Sequence, residues 1–281
     1  MLNALTVDVE DYFHVSAFED RIRMEDWDNY PLRVVDNTLR ILDMLDEFGV
    51  KATFFVLAWV AERRPSLVRD IQGKGHHIAC HGYAHKLIYR IGPESFRGDL
   101  RKAKALLEDI CGTEVRGYRA PSYSITGKSL WALDILAEEG FTYDSSIFPV
   151  IHDRYGIPDA KRFPHSISMP AGTIREFPMS TVQVGISRMK YRMPIAGGGY
   201  LRLFPAGFIR RAVSHINESE GQPAVLYFHP WEIDPGQPRI HACLRSRLRH
   251  YLNLGSTAGK IRFLLNSLRF APMEEVLCHE S

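Results

Sequence analysis

The chain has 281 residues, 45% of them hydrophobic and 24% charged, the composition of a globular protein large enough for one big α/β domain. Its formal net charge is only +2, so no overall field selects nucleic acid or an acidic surface as partner, and the function has to reside in a local site. Four widely spaced cysteines without a CxxC (Cys80, Cys111, Cys243, Cys278) argue against a zinc ribbon or a disulfide scaffold, and the absence of a signal-like start or a long apolar run gives the expectation of a reducing, cytoplasmic setting.

In chain order, NALTVDV predicts a strand. DNTLRILDMLDEFG predicts a helix capped by Asp36 or Asn37, with Leu39, Leu42, Leu45 and Phe48 on one face and Gly49 as stop. KATFFVL follows as a strand, PSLVRDIQGKG as a helix, HHIAC as a short strand, and PESFRGDLRKAKALLEDICG as a helix opened by Pro93 and closed by Gly112. EVRGYRA, FTYDSS, TIREFPM and PAVLYFH predict further strands, with GKSLWALDILAEEG and PAGFIRRAVSHINESEG as helices between them. About seven strands alternating with helices point to a parallel barrel or a doubly wound sheet. Residues 149–199, rich in Pro, Gly, Arg and aromatics, read as long loops able to carry substrate contacts.

Chemistry-bearing residues recur at the C-terminal ends of these strands: Asp8, Glu10 and Asp11 after the first, His81 and His85 after HHIAC, then Arg119, Asp144 and His229. Such ends share one face of a parallel β/α sheet, so residues more than 200 apart can converge. HGYAH carries imidazoles at i and i+4, a spacing that a helical turn brings to one side. Together with a carboxylate from strand one it makes a His, His, Asp/Glu set suited to Zn²⁺ with positions left open for water.

TVDVED, HGYAH, RAPSY, DSS and YFHPWE, in this order between Thr6 and Glu232, resemble the five motifs of the polysaccharide deacetylases of the NodB-homology type, carbohydrate esterase family 4. The run FHPWEIDPGQPR with RHYLNL resembles more narrowly a subfamily associated with exosortase and exopolysaccharide loci. The resemblance covers nearly the whole chain. It implies a single α/β domain over 1–281, a distorted barrel of seven or eight strands with long loops and C-terminal helices, and roughly 232–281 as a subfamily-specific extension. The implied reaction is metal-dependent removal of acetyl from GlcNAc-like sugars of an exopolysaccharide or its precursor.

Carried over position by position, Asp8 falls on the family's catalytic base. The metal-binding Asp that usually follows is replaced by Val9, whose side chain in a strand points away from Asp8. Glu10 returns to the same face and is assigned as the carboxylate ligand, with Asp11 as the rival; His81 and His85 match the family's metal imidazoles. Zn²⁺ is the expected ion, and Co²⁺, Ni²⁺ or Fe²⁺ suit the same donors. The resemblance further implies that Asp8 takes a proton from water, that His229 protonates the leaving nitrogen, that Arg119 stands beside Asp8, and that Asp144 orients His229. Ser122 stands where the family usually has Tyr, so the backbone N–H for the oxyanion comes from Ser122 or Tyr123, and Trp231 shapes the pocket wall.

Blander readings compete with these. Arg119 and Asp144 could form a structural ion pair, and Trp27, Tyr30 and Tyr200 are as suited to packing as to stacking on sugars. A catalytically silent carbohydrate-binding protein and a non-haem Fe(II) oxygenase are the alternative functions, while HPWEIDP points away from cyclic-amide hydrolases related to allantoinase. The partner is an N-acetylated oligo- or polysaccharide, with peripheral association with a polymer-synthesis complex as an option. The basic stretch 245–270 could rest on an anionic membrane, but Leu264, Leu265, Leu268 and Phe270 are what a docked cover helix buries, and that reading is preferred.

Overall fold

The computed structural model describes residues 1–186 and 189–279. Strand β1 (Asn3–Val9) is buried along its whole length because both faces are covered. Leu5, Val7 and Val9 pack under the helices, whereas Ala4 joins Phe55, Ala79, Tyr143 and Tyr227 inside the barrel. Alternation along the strand therefore aims Thr6 and Asp8 inward and sends Val9 outward.

After β1 come α1 (Val34–Glu47), β2 (Thr53–Val56), α2 (Ala58–Arg63), α3 (Pro65–Gly73), β3 (His77–Cys80), α4 (Pro93–Cys111), β4 (Gly117–Tyr118), α5 (Trp131–Glu138) and β5 (Tyr143–Asp144). Two hairpins follow, β6 (His165–Met169) with β7 (Gly172–Glu176) and β8 (Thr181–Ile186) with β9 (Met189–Pro194). The chain ends with α6 (Gly199–Leu203), α7 (Ala206–Ser219), β10 (Val225–Phe228), α8 (Leu244–Tyr251), α9 (Leu254–Ser267), β11 (Phe270–Ala271) and α10 (Met273–His279).

The main sheet runs β10-β1-β2-β3-β4-β5-β7-β6, with β11 added against the start of β1. Every pairing in it is parallel except β6 with β7. This is the distorted eight-strand barrel expected from the sequence, curled but open, because β10 and β6 end the path without pairing. The register sets Val7 beside both Phe54 and Phe228, Val56 beside Cys80, and Tyr118 beside Asp144. The strand ends carrying Asp8, His81, Arg119, Asp144 and His229 consequently share one rim.

Three expectations are corrected. Residues 149–199 are not all loop: β6 alternates half-buried His165, Ile167 and Met169 with exposed Ser166 and Ser168, a period of two too short to stand out among Pro, Gly and Arg. The buried face of α1 is Val34, Thr38, Ile41, Leu42 and Leu45, and Leu39 is exposed. The C-terminal cover is two helices, not one, broken where Asn253 takes φ 57°. α9 buries Leu264 and Leu265, and Phe270 follows them into the core, but α8 buries only Ser246 and His250 and leaves its leucines in solvent.

Candidate functional site

His81 follows β3 directly, and its Nδ1 lies 2.8 Å from the Arg119 carbonyl oxygen. That contact makes Nδ1 the protonated nitrogen and leaves the Nε2 lone pair free for a ligand. Burial pushes the His81 pKa down to about 4, which keeps the ring neutral. The HGYAH segment is not the helical turn its spacing suggested. It is an irregular loop in which Gly82 (φ 71°) and His85 (φ 49°) both take left-handed backbone, and the Asp99 carboxylate on α4 holds it by accepting the Tyr83 and Ala84 N–H groups at 2.8 and 3.2 Å. A Cβ on Gly82 would lie 3.1 Å from Asp99 Oδ2, so the loop needs glycine there for both space and φ.

Glu10 returns to the barrel side beyond β1 and meets these imidazoles. Ligand atoms of Glu10, His81 and His85 lie within 4.8 Å of one another, all buried. Glu10 Oε2 is 2.6 Å from His85 Nε2 yet accepts no aligned hydrogen bond, so a buried carboxylate oxygen and an imidazole nitrogen point at shared space. Burial alone would raise the Glu10 pKa, but the charge of His85, then those of His229 and His81, hold it well below the carboxylate range. One carboxylate and two imidazoles converging with a position open to the pocket fit a divalent ion such as zinc.

Asp8 and His229 flank this cluster. Arg119, with no exposed surface, donates through Nη1 to Asp8 Oδ1 at 2.7 Å and to Thr6 Oγ1 at 2.8 Å. It also donates to the Ser145 carbonyl and hydroxyl, and its guanidinium lies 4.1 Å from the Phe55 ring centroid. The Arg119 partner is therefore Asp8, not Asp144. His229 Nε2 stands 3.9 Å from Asp8 Oδ2 and 3.6 Å from Glu10 Oε1.

Asp144 does not orient His229. Its carboxylate accepts the Ser146 hydroxyl at 2.6 Å and the Ser146 N–H at 3.0 Å, and Ser146 Oγ in turn accepts the Ala120 N–H at 2.8 Å. Asp144 thus braces the strand end that carries Arg119, beside Glu176, whose carboxyl burial and the Asp144 charge raise well above the usual range. The partner of His229 is Glu232, three residues on in the HPWE run. Its Oε2 accepts the His229 N–H at 3.0 Å and lies 3.2 Å from Nδ1, while its Oε1 accepts Arg202 Nε at 2.6 Å.

Burial would lower the His229 pKa, but the Glu232 hydrogen bond and charge, with Glu10 and Asp8, lift it to about 9. Glu232 is held at about 2 against burial by Arg202 and His229. The i, i+3 spacing in HPWE was the available signal for this pair; nothing local marked Arg202.

Asp11, the rival ligand, faces away from the imidazoles. Its oxygens accept the Tyr12 N–H at 2.9 Å and, across the start of α1, the Arg33 and Val34 N–H groups at 2.6 and 2.8 Å. Ser122 and Tyr123 adopt φ 53° and 54°, with Ser122 Oγ 2.7 Å from Ser16 Oγ and the Tyr123 N–H donated to the Ala120 carbonyl. Trp231 donates to Glu10 Oε1 at 3.3 Å and is stacked between His229 and His250. Trp27 packs against His14 and Trp59. A pocket of about 570 Å³ opens over the centre and is lined by Asp8, Glu10, His81, His85, His229 and Trp231, with Ser122, Tyr123, Tyr155 and Tyr200 on the wall.

Comparison with known proteins agrees with this picture. Residues 23–143 match the family model described as polysaccharide deacetylase, and residues 145–278 match a domain of unknown function, DUF3473. Over 98 residues the chain is 34% identical to a peptidoglycan-N-acetylglucosamine deacetylase of Bacillus cereus, covering 34% of this chain and 36% of that one. Over 100 residues it is 34% identical to a chitooligosaccharide deacetylase of Sinorhizobium fredii, covering 35% and 44%. The chain therefore spans less than half the length of these relatives. A Mycobacterium smegmatis crystal structure assigned to the polysaccharide deacetylases superposes with TM-score 0.64 at 25% identity, covering 99% of this chain and 89% of that one. The fold alone is shared, at 14% identity, with Puue allantoinase (TM-score 0.61, covering 99% and 89%) and with a family 4 pseudoenzyme of Bacillus anthracis (0.50, covering 98% and 65%).

Proposed function

We propose that this chain, whose residues 23–143 match the polysaccharide deacetylase family model, is a metal-dependent hydrolase that removes N-acetyl groups from GlcNAc-like units of an exopolysaccharide or its precursor. The carrying observation is convergence: Glu10, His81 and His85 gather their ligand atoms within 4.8 Å, with Asp8 and His229 on the same pocket. This favours hydrolysis over the oxygenase reading, which asks for no extra carboxylate base or imidazole acid, and over a silent scaffold, which asks for no buried ligand set.

Glu10, His81 and His85 would hold the ion, which when bound lowers the pKa of a water and polarises the acetyl carbonyl. Asp8 accepts the water's proton at Oδ2, because Arg119 occupies Oδ1 and keeps the carboxylate aimed. The Tyr123 N–H is already spent on the Ala120 carbonyl, which leaves the Ser122 N–H as the backbone donor assigned to the oxyanion. His229, fixed by Glu232 through Nδ1, delivers a proton from Nε2 to the departing amine. Tyr155 and Tyr200, 3.3 Å apart through their hydroxyls, offer rings and O–H groups to the sugar.

The test is acetate release from N-acetylated β-linked glucosamine oligomers by the whole chain. Release should stop with chelator, return with Zn²⁺, and fall at least a hundredfold in Asp8→Asn. Undiminished release by Asp8→Asn overturns the mechanism, and tight sugar binding by metal-replete protein without any release identifies a silent relative.

A further inference from the structure

The pocket mouth combines two features that the hydrolytic chemistry does not use. Large aliphatic side chains stand in solvent around it: Ile151 is 88% exposed, Leu244 69%, Leu248 56%, Leu203 54% and Leu252 40%. Leu203, Leu248 and Leu252 line the pocket itself. On α8 the i, i+4 spacing sets Leu244 and Leu248 along one stripe, with Leu252 directly after the helix, while His250 and Ser246 anchor the opposite side in the protein. Asp153 ties the 151–154 loop to this helix by accepting Arg245 at 2.9 Å, with Arg249 3.8 Å away, so Ile151 belongs to the same rim. Contiguous exposed apolar surface at one place is a contact surface, whereas scattered leucines need no explanation.

Charge narrows the occupant. α8 contains three arginines and no acid. Asp153 is the carboxylate that Arg245 and Arg249 share, and among the described residues Arg247 and Arg154 have no carboxylate within ion-pair distance. Arg154 lines the pocket, and its guanidinium donates to the Ser16 carbonyl. Aliphatic side chains flanked by surplus arginines are the composition of a helix lying in the headgroup layer of an anionic membrane. No helix among the described residues is long and apolar enough to cross one, so the association is peripheral.

We propose that the rim formed by α8, Leu203 and the 151–154 loop docks on an anionic lipid bilayer and turns the pocket mouth toward substrate held at that surface. The test is sedimentation of the full chain with vesicles of phosphatidylcholine containing one quarter phosphatidylglycerol, against pure phosphatidylcholine, at low salt and at 0.5 M NaCl. Binding should require phosphatidylglycerol and weaken with salt. It should fall at least tenfold in the double variant Ile151→Ser, Leu244→Ser and severalfold in Arg247→Glu, all with unchanged melting temperature, because each side chain is exposed. No binding to the anionic vesicles, equal binding to neutral ones, or equal binding by the double variant overturns the proposal. So does a concentration-dependent dimer that the double variant abolishes, which would make a second copy of the chain the occupant. Vesicle binding is read on the protein itself, so it stands or falls independently of deacetylation.

Discussion

Glu10 and Asp11 are adjacent buried acids with opposite assignments, and separate substitutions distinguish them. Asp11→Ala removes the acceptor of three amide N–H groups, those of Tyr12, Arg33 and Val34. Each buried donor left without a partner costs about 1–3 kcal/mol. Burial raises the Asp11 carboxyl to about 6, so at neutral pH removing the charge returns about 3 kcal/mol at roughly 1.4 kcal/mol per unit. The net loss at pH 8 is about 3 kcal/mol, a drop in melting temperature of about 6–12 °C for a chain of this size.

The sign of the pH dependence follows from the same shift. A carboxyl whose folded pKa lies above its unfolded value contributes stability that is full below pH 3.8 and is lost as pH rises through about 6. The substitution should therefore cost more at pH 4 than at pH 8. Glu10→Gln should do the reverse in kind: zinc affinity, measured by competition with a chromophoric chelator, should fall beyond the roughly 10–100-fold typical of outer partners, while Asp11→Ala keeps zinc affinity within about threefold. Loss of zinc by Asp11→Ala with an unchanged melting temperature would refute the assignment.

Two further outcomes test the acid–base pair. A proton donor loses activity as pH rises through its pKa, so Glu232→Gln, which removes the charge and weakens the hydrogen bond that lift His229, should move the alkaline limb of kcat toward lower pH by about 1–2 units; an unmoved limb argues that His229 is not the acid. Arg119→Met strands the Asp8 carboxylate in the barrel and should cost about 3–5 kcal/mol in urea unfolding along with turnover. Arg119→Lys keeps the charge but not the fork to Thr6 and Ser145, and should recover much of the stability and little of kcat; full kcat in the lysine variant would show that charge alone suffices.

Legibility in the sequence tracked how local each cause is. Strand alternation is a period of two, so the inward Asp8, the outward Val9 and the returning Glu10 could be read from six letters. Strand-end placement of His81, Arg119 and His229 followed from β/α order, since a parallel sheet collects those ends. What was misread depends on contacts across the fold. The partner of His229 lies three residues away in Glu232, but choosing it over Asp144 required knowing that Ser146 consumes the Asp144 carboxylate. Asp11 looked like a ligand because the amides at the start of α1, more than 20 residues on, are invisible in sequence. HGYAH was read as helix because its spacing is helical, yet Asp99 supplies the hydrogen bonds that a helix would otherwise provide.

The same chain of contacts argues that the second half of the protein belongs to the site and is not an appendage to it. Asp8 and Glu10 precede the matched deacetylase span, and His229 follows it. His229 is set by Glu232, and Glu232 by Arg202, a guanidinium with 4% of its residue surface exposed. Arg202 also donates Nη1 to the carbonyls of His250 and Leu252 at 2.7 and 3.3 Å, which places it at the junction of α8 and α9. From α9, Lys260 donates to the carbonyls of Leu201, Arg202 and Phe204 at 2.7–3.1 Å, holding the C-terminal end of α6 where a cation is favoured. A change in α9 therefore reaches His229 through Arg202 and Glu232, and the covering helices fix the geometry of His229 as directly as β10 does.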